Sequence, residues 1–237
     1  AIELRLTTLM GTKSLANRRF IFGLIVAIGI LYVSYINTGS TSNAINSIII
    51  ASIGVFIGYF YTAKPIKLSS LYGLGELSIF LAFGPLLTLG AGFAISIDTI
   101  ILYSEEFYNL IILGIPLGLL TTNILFINQF PDYTSDKKVG KNNLVVLLGK
   151  KSSKWIYALN SALAVGSLYF ISQNILNETQ SSLFLYVLIP LTMIYSYYLI
   201  SGLFKYYNSR KLIKYNIHTI YFHMFFSFVY MIILGSF

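Results

Sequence analysis

The stretch Asn128-Gln-Phe-Pro-Asp132-Tyr-Thr-Ser-Asp136-Lys-Lys-Val-Gly-Lys141 sets two carboxylates and three ammonium groups directly after an apolar run that ends at Phe126. Acids at the rim of a membrane helix are costly to keep and are usually functional. If the helix continues, residues four apart advance by about 400°, only about 40° past a full circle, so Asn128, Asp132 and Asp136 line one face. Two carboxylates are too few to cage Mg²⁺, which commonly binds through one or two carboxylates, waters and the oxygens of a substrate phosphate. The spacing therefore predicts a divalent cation shared with a phosphorylated partner. Lys137, Lys138 and Lys141 lie just beyond, and Lys64 and Lys67 sit in another loop on the same side, so cationic charge for a diphosphate converges there. The plainer alternative is that the acids only pair with neighbouring lysines in a solvated loop, an arrangement that contributes little.

The elements that must carry these residues are membrane helices. Hydrophobic residues make up 56% of the 237 and charged residues 10%, and a span needs about 20 apolar residues. Seven runs qualify: Phe20 to Ile36, Ile45 to Tyr61, Leu77 to Ile97, Leu110 to Phe126, Trp155 to Ile171, Leu183 to Leu203 and Ile217 to Leu234. The loops are short except for Ile127 to Lys154, and nothing marks an interdomain linker, which predicts one helical-bundle domain over residues 1–237. Pro131 removes a backbone donor and disfavours helical geometry at Phe130, so the helix is expected to kink or end there. Gly54-x-x-x-Gly58 and Gly114-x-x-x-Gly118 are read as close-packing devices. Pro85, Pro116 and Pro190 lie within spans, where a kink is tolerable if neighbouring groups satisfy the freed carbonyls.

All 16 Lys and Arg residues fall in the N-terminal segment or in the loops after the second, fourth and sixth runs, whereas the intervening loops carry Asp98, Glu105, Glu106 and Glu178. The positive-inside rule then predicts a cytoplasmic N-terminus and a cytoplasmic acid-lysine loop, in what is read as the cell membrane. The net charge of +8 describes one face. It suits anionic head groups or a phosphorylated substrate, and without a soluble basic module nucleic acid is excluded. With no cysteine, disulfides and thiolate metal sites are excluded too. Arg18 and Arg19 precede a span and not a signal peptide, for no small-residue cleavage pattern follows. His218 and His223, five apart, point about 140° from each other on a helix and read as core or interface residues. Asn177-Glu-Thr179 has the glycosylation pattern, meaningful only in a secretory compartment. Mid-span positions carry no charge, which disfavours a transporter.

The wording around the acids is more specific than their spacing. Asn128-x-x-x-Asp132-x-x-x-Asp136, followed by Val139-Gly-Lys-Asn-Asn-Leu-Val-Val-Leu-Leu-Gly149, closely resembles the second aspartate-rich motif of the UbiA superfamily of membrane prenyltransferases. Tyr61-Thr-Ala-Lys-Pro65, then Gly73-Leu-Gly-Glu-Leu77 and Phe83-Gly-Pro85, resembles the branch that prenylates dihydroxynaphthoate in menaquinone synthesis. The resemblance implies an all-α bundle around a cavity, a polyprenyl diphosphate held through Mg²⁺, an aromatic acceptor, and a tail running into the bilayer. It implies that Asp132 and Asp136 bind the metal, that Asn128 orients the site, and that Lys141 contacts the diphosphate or orders the loop, with Lys64 a weaker candidate. Tyr195, Tyr197 and Tyr198 are candidate aromatic faces for an allylic cation. The family ordinarily has nine spans and two aspartate motifs, so two N-terminal helices and the first motif are expected to be missing here, and Pro131 stands where a basic residue is usual. Two alternatives accompany this reading. One is a transferase acting on another acceptor. The other is a non-catalytic membrane subunit that binds lipid or quinone within a larger assembly or oligomer.

Overall fold

The computed structural model describes residues 41–96 and 98–235, with scattered positions between 23 and 39. The first predicted span therefore lies mostly outside the described residues. Every other span is a helix: α1 (Thr41–Thr62), α2 (Leu74–Phe83) with α3 (Pro85–Ile95), α4 (Glu105–Lys138), α6 (Lys150–Asn174), α7 (Glu178–Leu183) with α8 (Ile189–Tyr206), and α9 (Leu212–Gly235). A short α5 (Leu144–Leu148) follows α4. These make six segments long and apolar enough to cross a membrane among the described residues. Helices are the form hydrocarbon demands, because each satisfies its own backbone hydrogen bonds.

The chain divides into two compact units. In the smaller, Ala1–Ile49 with Gly90–Ile100, the buried Asn43 donates from Nδ2 to the Asp98 carbonyl (2.9 Å) and accepts from the Ile100 N–H (3.0 Å). In the larger, Ile50–Leu89 with Ile101–Phe237, α4 packs against α2, α6 and α9, α6 packs against α8, and α8 closes on α9. Phe126, Ile127 and Phe130 of α4, Leu168 and Ile171 of α6, Leu199 and Leu203 of α8 and Phe226 of α9 fill its core.

Contact between α2 and α4 depends on missing side chains. A methyl group at Gly114 would lie 2.6 Å from the Gly84 carbonyl carbon, and one at Gly118 would lie 2.5 Å from the Phe80 oxygen. Thr88, just past the break at Gly84, donates to the Leu110 carbonyl (2.7 Å) across the same junction. Gly114 and Gly118 are thus the packing device expected of them. At Gly54 and Gly58, among the described residues, nothing stands within 4 Å of an added methyl group.

Pro85 opens α3, where a lost donor does least harm because that N–H has no intrahelical acceptor, whereas Pro116 and Pro131 lie inside α4 and Pro190 lies within the continuous run Glu178–Tyr206. A π turn, Phe184–Leu188, bridges α7 to α8 and loosens the ladder just before Pro190. Of the two outcomes expected at Pro131, an end to the helix is overturned: α4 does not give way to a long loop there but continues to Lys138. Proline strips one bond from a helix, to the residue four before it. The well-formed turns on both sides of Pro131 sustain the rest.

Gly114→Val should lower the stability of the detergent-solubilised protein by about 1–3 kcal/mol, the usual cost of overpacking, read as a drop in thermal midpoint. Gly166→Ala, in α6 with nothing within 4 Å of a methyl group, should raise stability by about 0.5–1 kcal/mol.

Candidate active site

At 34 residues, α4 is about 51 Å long against a hydrocarbon layer of about 30 Å, so it must project beyond that layer. Its last three turns carry Asn128, Asp132 and Asp136, and the unbroken helix puts all three on one face, as their spacing requires. Asp132 is exposed and its carboxylate makes no hydrogen bond or ion pair with a described residue. Asp136 is held by one oxygen: Oδ2 accepts from Asn143 Nδ2 (2.7 Å) and from Lys141 Nζ (3.0 Å). Its Oδ1 has no partner among the described residues. Lys141 thus ties the loop after α4 back to Asp136.

Asn128 is bound at both ends of its amide. Nδ2 donates to the Ile124 carbonyl (2.9 Å), and Oδ1 accepts from Asn216 Nδ2 of α9 (3.0 Å). Lys137 lies 5.9 Å from the Tyr133 ring centroid, and Lys150 lies 5.6 Å from it, so one aromatic face gathers two cations. Lys64 and Lys67 are exposed and form no ion pair with the acids. Their segment still reaches the site, because the Asn142 N–H donates to the Ser70 carbonyl (3.3 Å).

The loop after α4 is built to hold Asp136. Asn143 caps α5, its Oδ1 accepting from the Val146 N–H (2.9 Å), while its Nδ2 reaches Asp136. The next residue, Leu144, donates its N–H to Glu76 Oε1 (3.0 Å), and the same oxygen accepts from Gln129 Nε2 (2.8 Å). Glu76 is only 4% exposed. It joins α2, α4 and α5 through one oxygen. A lone acid near the start of an otherwise apolar helix is the signal that marks it. Asn216 and Gln129 carry no comparable signal, since they find their partners 88 and 53 residues away.

The remaining predicted residues are placed as follows. Tyr195 stacks on Phe222 (4.9 Å between centroids) and its hydroxyl meets His218 Nδ1 (3.0 Å). Tyr198 packs edge-on to His218, whereas Tyr197 is exposed. His223 Nε2 bonds Thr121 Oγ1 (2.8 Å). The two histidines serve separate helix contacts, as their spacing suggests. Asn177 caps α7 by accepting from the Gln180 N–H (2.9 Å).

Asn143→Ala removes both a helix cap and a ligand of Asp136. It should cost about 0.5–2 kcal/mol and speed amide hydrogen exchange across Leu144–Leu148, measured by mass spectrometry.

Residues 10–229 match the UbiA prenyltransferase family. The chain is 33% identical over 121 residues to a 2-carboxy-1,4-naphthoquinone phytyltransferase of Synechocystis, covering 51% of this chain and 35% of that protein. It is 31% identical over 116 residues to a 1,4-dihydroxy-2-naphthoate octaprenyltransferase of Bacillus subtilis, covering 49% and 35%. With the protein of the same name from Escherichia coli the identity is 36% over 96 residues, 40% of this chain and 28% of that one. The chain thus spans about a third of the length of the curated relatives it matches. No solved structure matches it. The family match extends over nearly the whole chain and takes in both the helical bundle and the acid-bearing end of α4, so the chain belongs to the UbiA prenyltransferase family.

Proposed function

We propose that this protein moves a polyprenyl group from its diphosphate to an aromatic quinone precursor of the dihydroxynaphthoate kind, in a membrane, with Mg²⁺ at Asp132 and Asp136. One observation carries the reading: the unpartnered Asp132 carboxylate and the free Oδ1 of Asp136 share a face at the projecting end of α4. The donor set fits the metal. Both groups are hard oxygen ligands, of the kind Mg²⁺ takes beside water and substrate phosphate. The names of the matched relatives support the acceptor class.

When bound, Mg²⁺ supplies positive charge that stabilises the departing diphosphate. The protein's part is to fix the acids, complement the anion and keep water away. Asn143 and Lys141 fix Asp136 through Oδ2, leaving Oδ1 to face the ligand, and Asn216 locks Asn128 beside Asp132. Lys137, Lys64 and Lys67 place further cations around a diphosphate as negative charge develops on it. The apolar helices behind the site shield an allylic cation from water. Under this reading the acid-bearing end faces the cytoplasm, the side favoured by the lysine distribution.

Membranes containing the intact gene product, given labelled polyprenyl diphosphate and a panel of hydroxylated aromatic acceptors, should yield prenylated product. Chelation should abolish turnover and Mg²⁺ should restore it. Asp132→Asn and Asp136→Asn should each cut kcat/KM by about 10²–10³-fold, the loss typical of one removed electrostatic contact. Absence of product with every acceptor would favour the non-catalytic, ligand-binding alternative.

A further inference from the structure

A second feature of α4 lies about a third of a turn away from the acid face. Relative to Asp132, the directions of Thr122, Phe126 and Leu119 are rotated by roughly 80°, 120° and 140° on an ideal helix. These three residues, with Glu76 and Phe80 of α2 and Asn160 of α6, line a cavity of about 210 Å³. The lining is largely aromatic and aliphatic. Cavities of roughly 150 Å³ already admit benzene, so this one takes more than a single ring.

Its polar groups are mostly acceptors, the second N–H of Asn160 Nδ2 being the exception. Glu76 Oε1 is occupied by Gln129 and Leu144, which leaves Oε2 of this deeply buried residue without a partner among the described residues. Asn160 donates its Nδ2 to Asn123 Oδ1 (3.1 Å). The Asn123 amide is itself fixed by donating to the Tyr157 carbonyl (3.2 Å) and Ser161 Oγ (2.9 Å). That chain of bonds leaves Asn160 Oδ1 as a spare acceptor. Thr122 gives its hydroxyl proton to the Gly118 carbonyl (2.8 Å), so it too can only accept. A carboxylate offers acceptors and no donor, and a buried acceptor left unmatched is costly. The fitting ligand is therefore a flat apolar body that brings O–H groups.

We propose that the cavity between α2, α4 and α6 binds a hydroxyl-bearing aromatic ring, with Glu76 Oε2 and Asn160 Oδ1 accepting its hydroxyl protons. Glu76 Oε2, an acceptor only, discriminates against the ketone form of such a ring, which has nothing to donate to it. Identification of this ring as the acceptor substrate rests on the transferase reading; the binding site itself does not. Its location fits that use, because the Leu144 N–H bonded to Glu76 adjoins Asn143, which holds Asp136.

The test is equilibrium binding of 1-naphthol and 1-methoxynaphthalene to the intact protein in nanodiscs, corrected for partitioning into empty nanodiscs, with no diphosphate or metal present. The two probes share a ring system and differ in the ability to donate. Naphthol should bind about tenfold more tightly, the scale of one hydrogen bond to a charged group. Glu76→Gln should erase that preference, since one acceptor oxygen is replaced by a donor. Leu77, exposed and also lining the cavity, gives a variant that spares every buried bond: Leu77→Trp should block both probes. Asp132→Ala, at a carboxylate with no bond to a described residue, should bind naphthol as the unmodified protein does. Equal affinity for the two probes, undiminished naphthol binding in Glu76→Gln or Leu77→Trp, or its loss in Asp132→Ala, would overturn the proposal. Naphthol binding as described, alongside a failure of prenyl transfer, would count against the transferase reading alone.

Discussion

Hydrocarbon permits no unsatisfied backbone, and that constraint governs where this protein can place chemistry. Within the apolar layer the chain is committed to helices, so ionisable groups gather where a helix outlasts the layer. α4 does so by several turns. It packs at its middle, through glycines that admit the backbone of α2, and projects acids at its end. The same helix therefore anchors the bundle and displays the site, and a change in its packing would be felt at both places.

The projecting end would be a poor site if its side chains were free to swing. Bonds from three other elements restrain it: Asn216 of α9 takes Asn128, Asn143 at the head of α5 takes Asp136, and Glu76 of α2 fixes the residue that follows Asn143. Each uses only part of a polar group. Asp136 and Glu76 are each held by one oxygen and present the other, which is how a rigid shell can still leave ligand-binding capacity in place.

Much of this was legible in the residues. Long apolar runs marked six helices because span length is set by the bilayer, and Asn128, Asp132 and Asp136 declared a common face because helical periodicity is local. Gly114 and Gly118 were legible as contacts, whereas Gly54 and Gly58 meet nothing among the described residues, since a small-residue pair states that approach is possible without naming what approaches. An end to α4 at Pro131 did not follow, because a steric rule for a dipeptide yields to the turns around it. Glu76, Asn216, Gln129 and Asn160 stayed hidden for another reason. Their partners are brought near only by the fold, and no spacing along the chain encodes that.

The π turn between α7 and α8 has its own consequence. A π turn holds one residue more than the α turn it replaces, so every side chain beyond it is rotated by about 100° from where uninterrupted periodicity would point it. Tyr195 and Tyr198 meet α9 in that rotated frame. Deleting a single residue within Phe184–Leu188 would remove the extra residue and the offset together, restoring a regular helix with both tyrosines still facing their neighbours. A homologue one residue shorter at this point should accordingly keep the same contacts with α9.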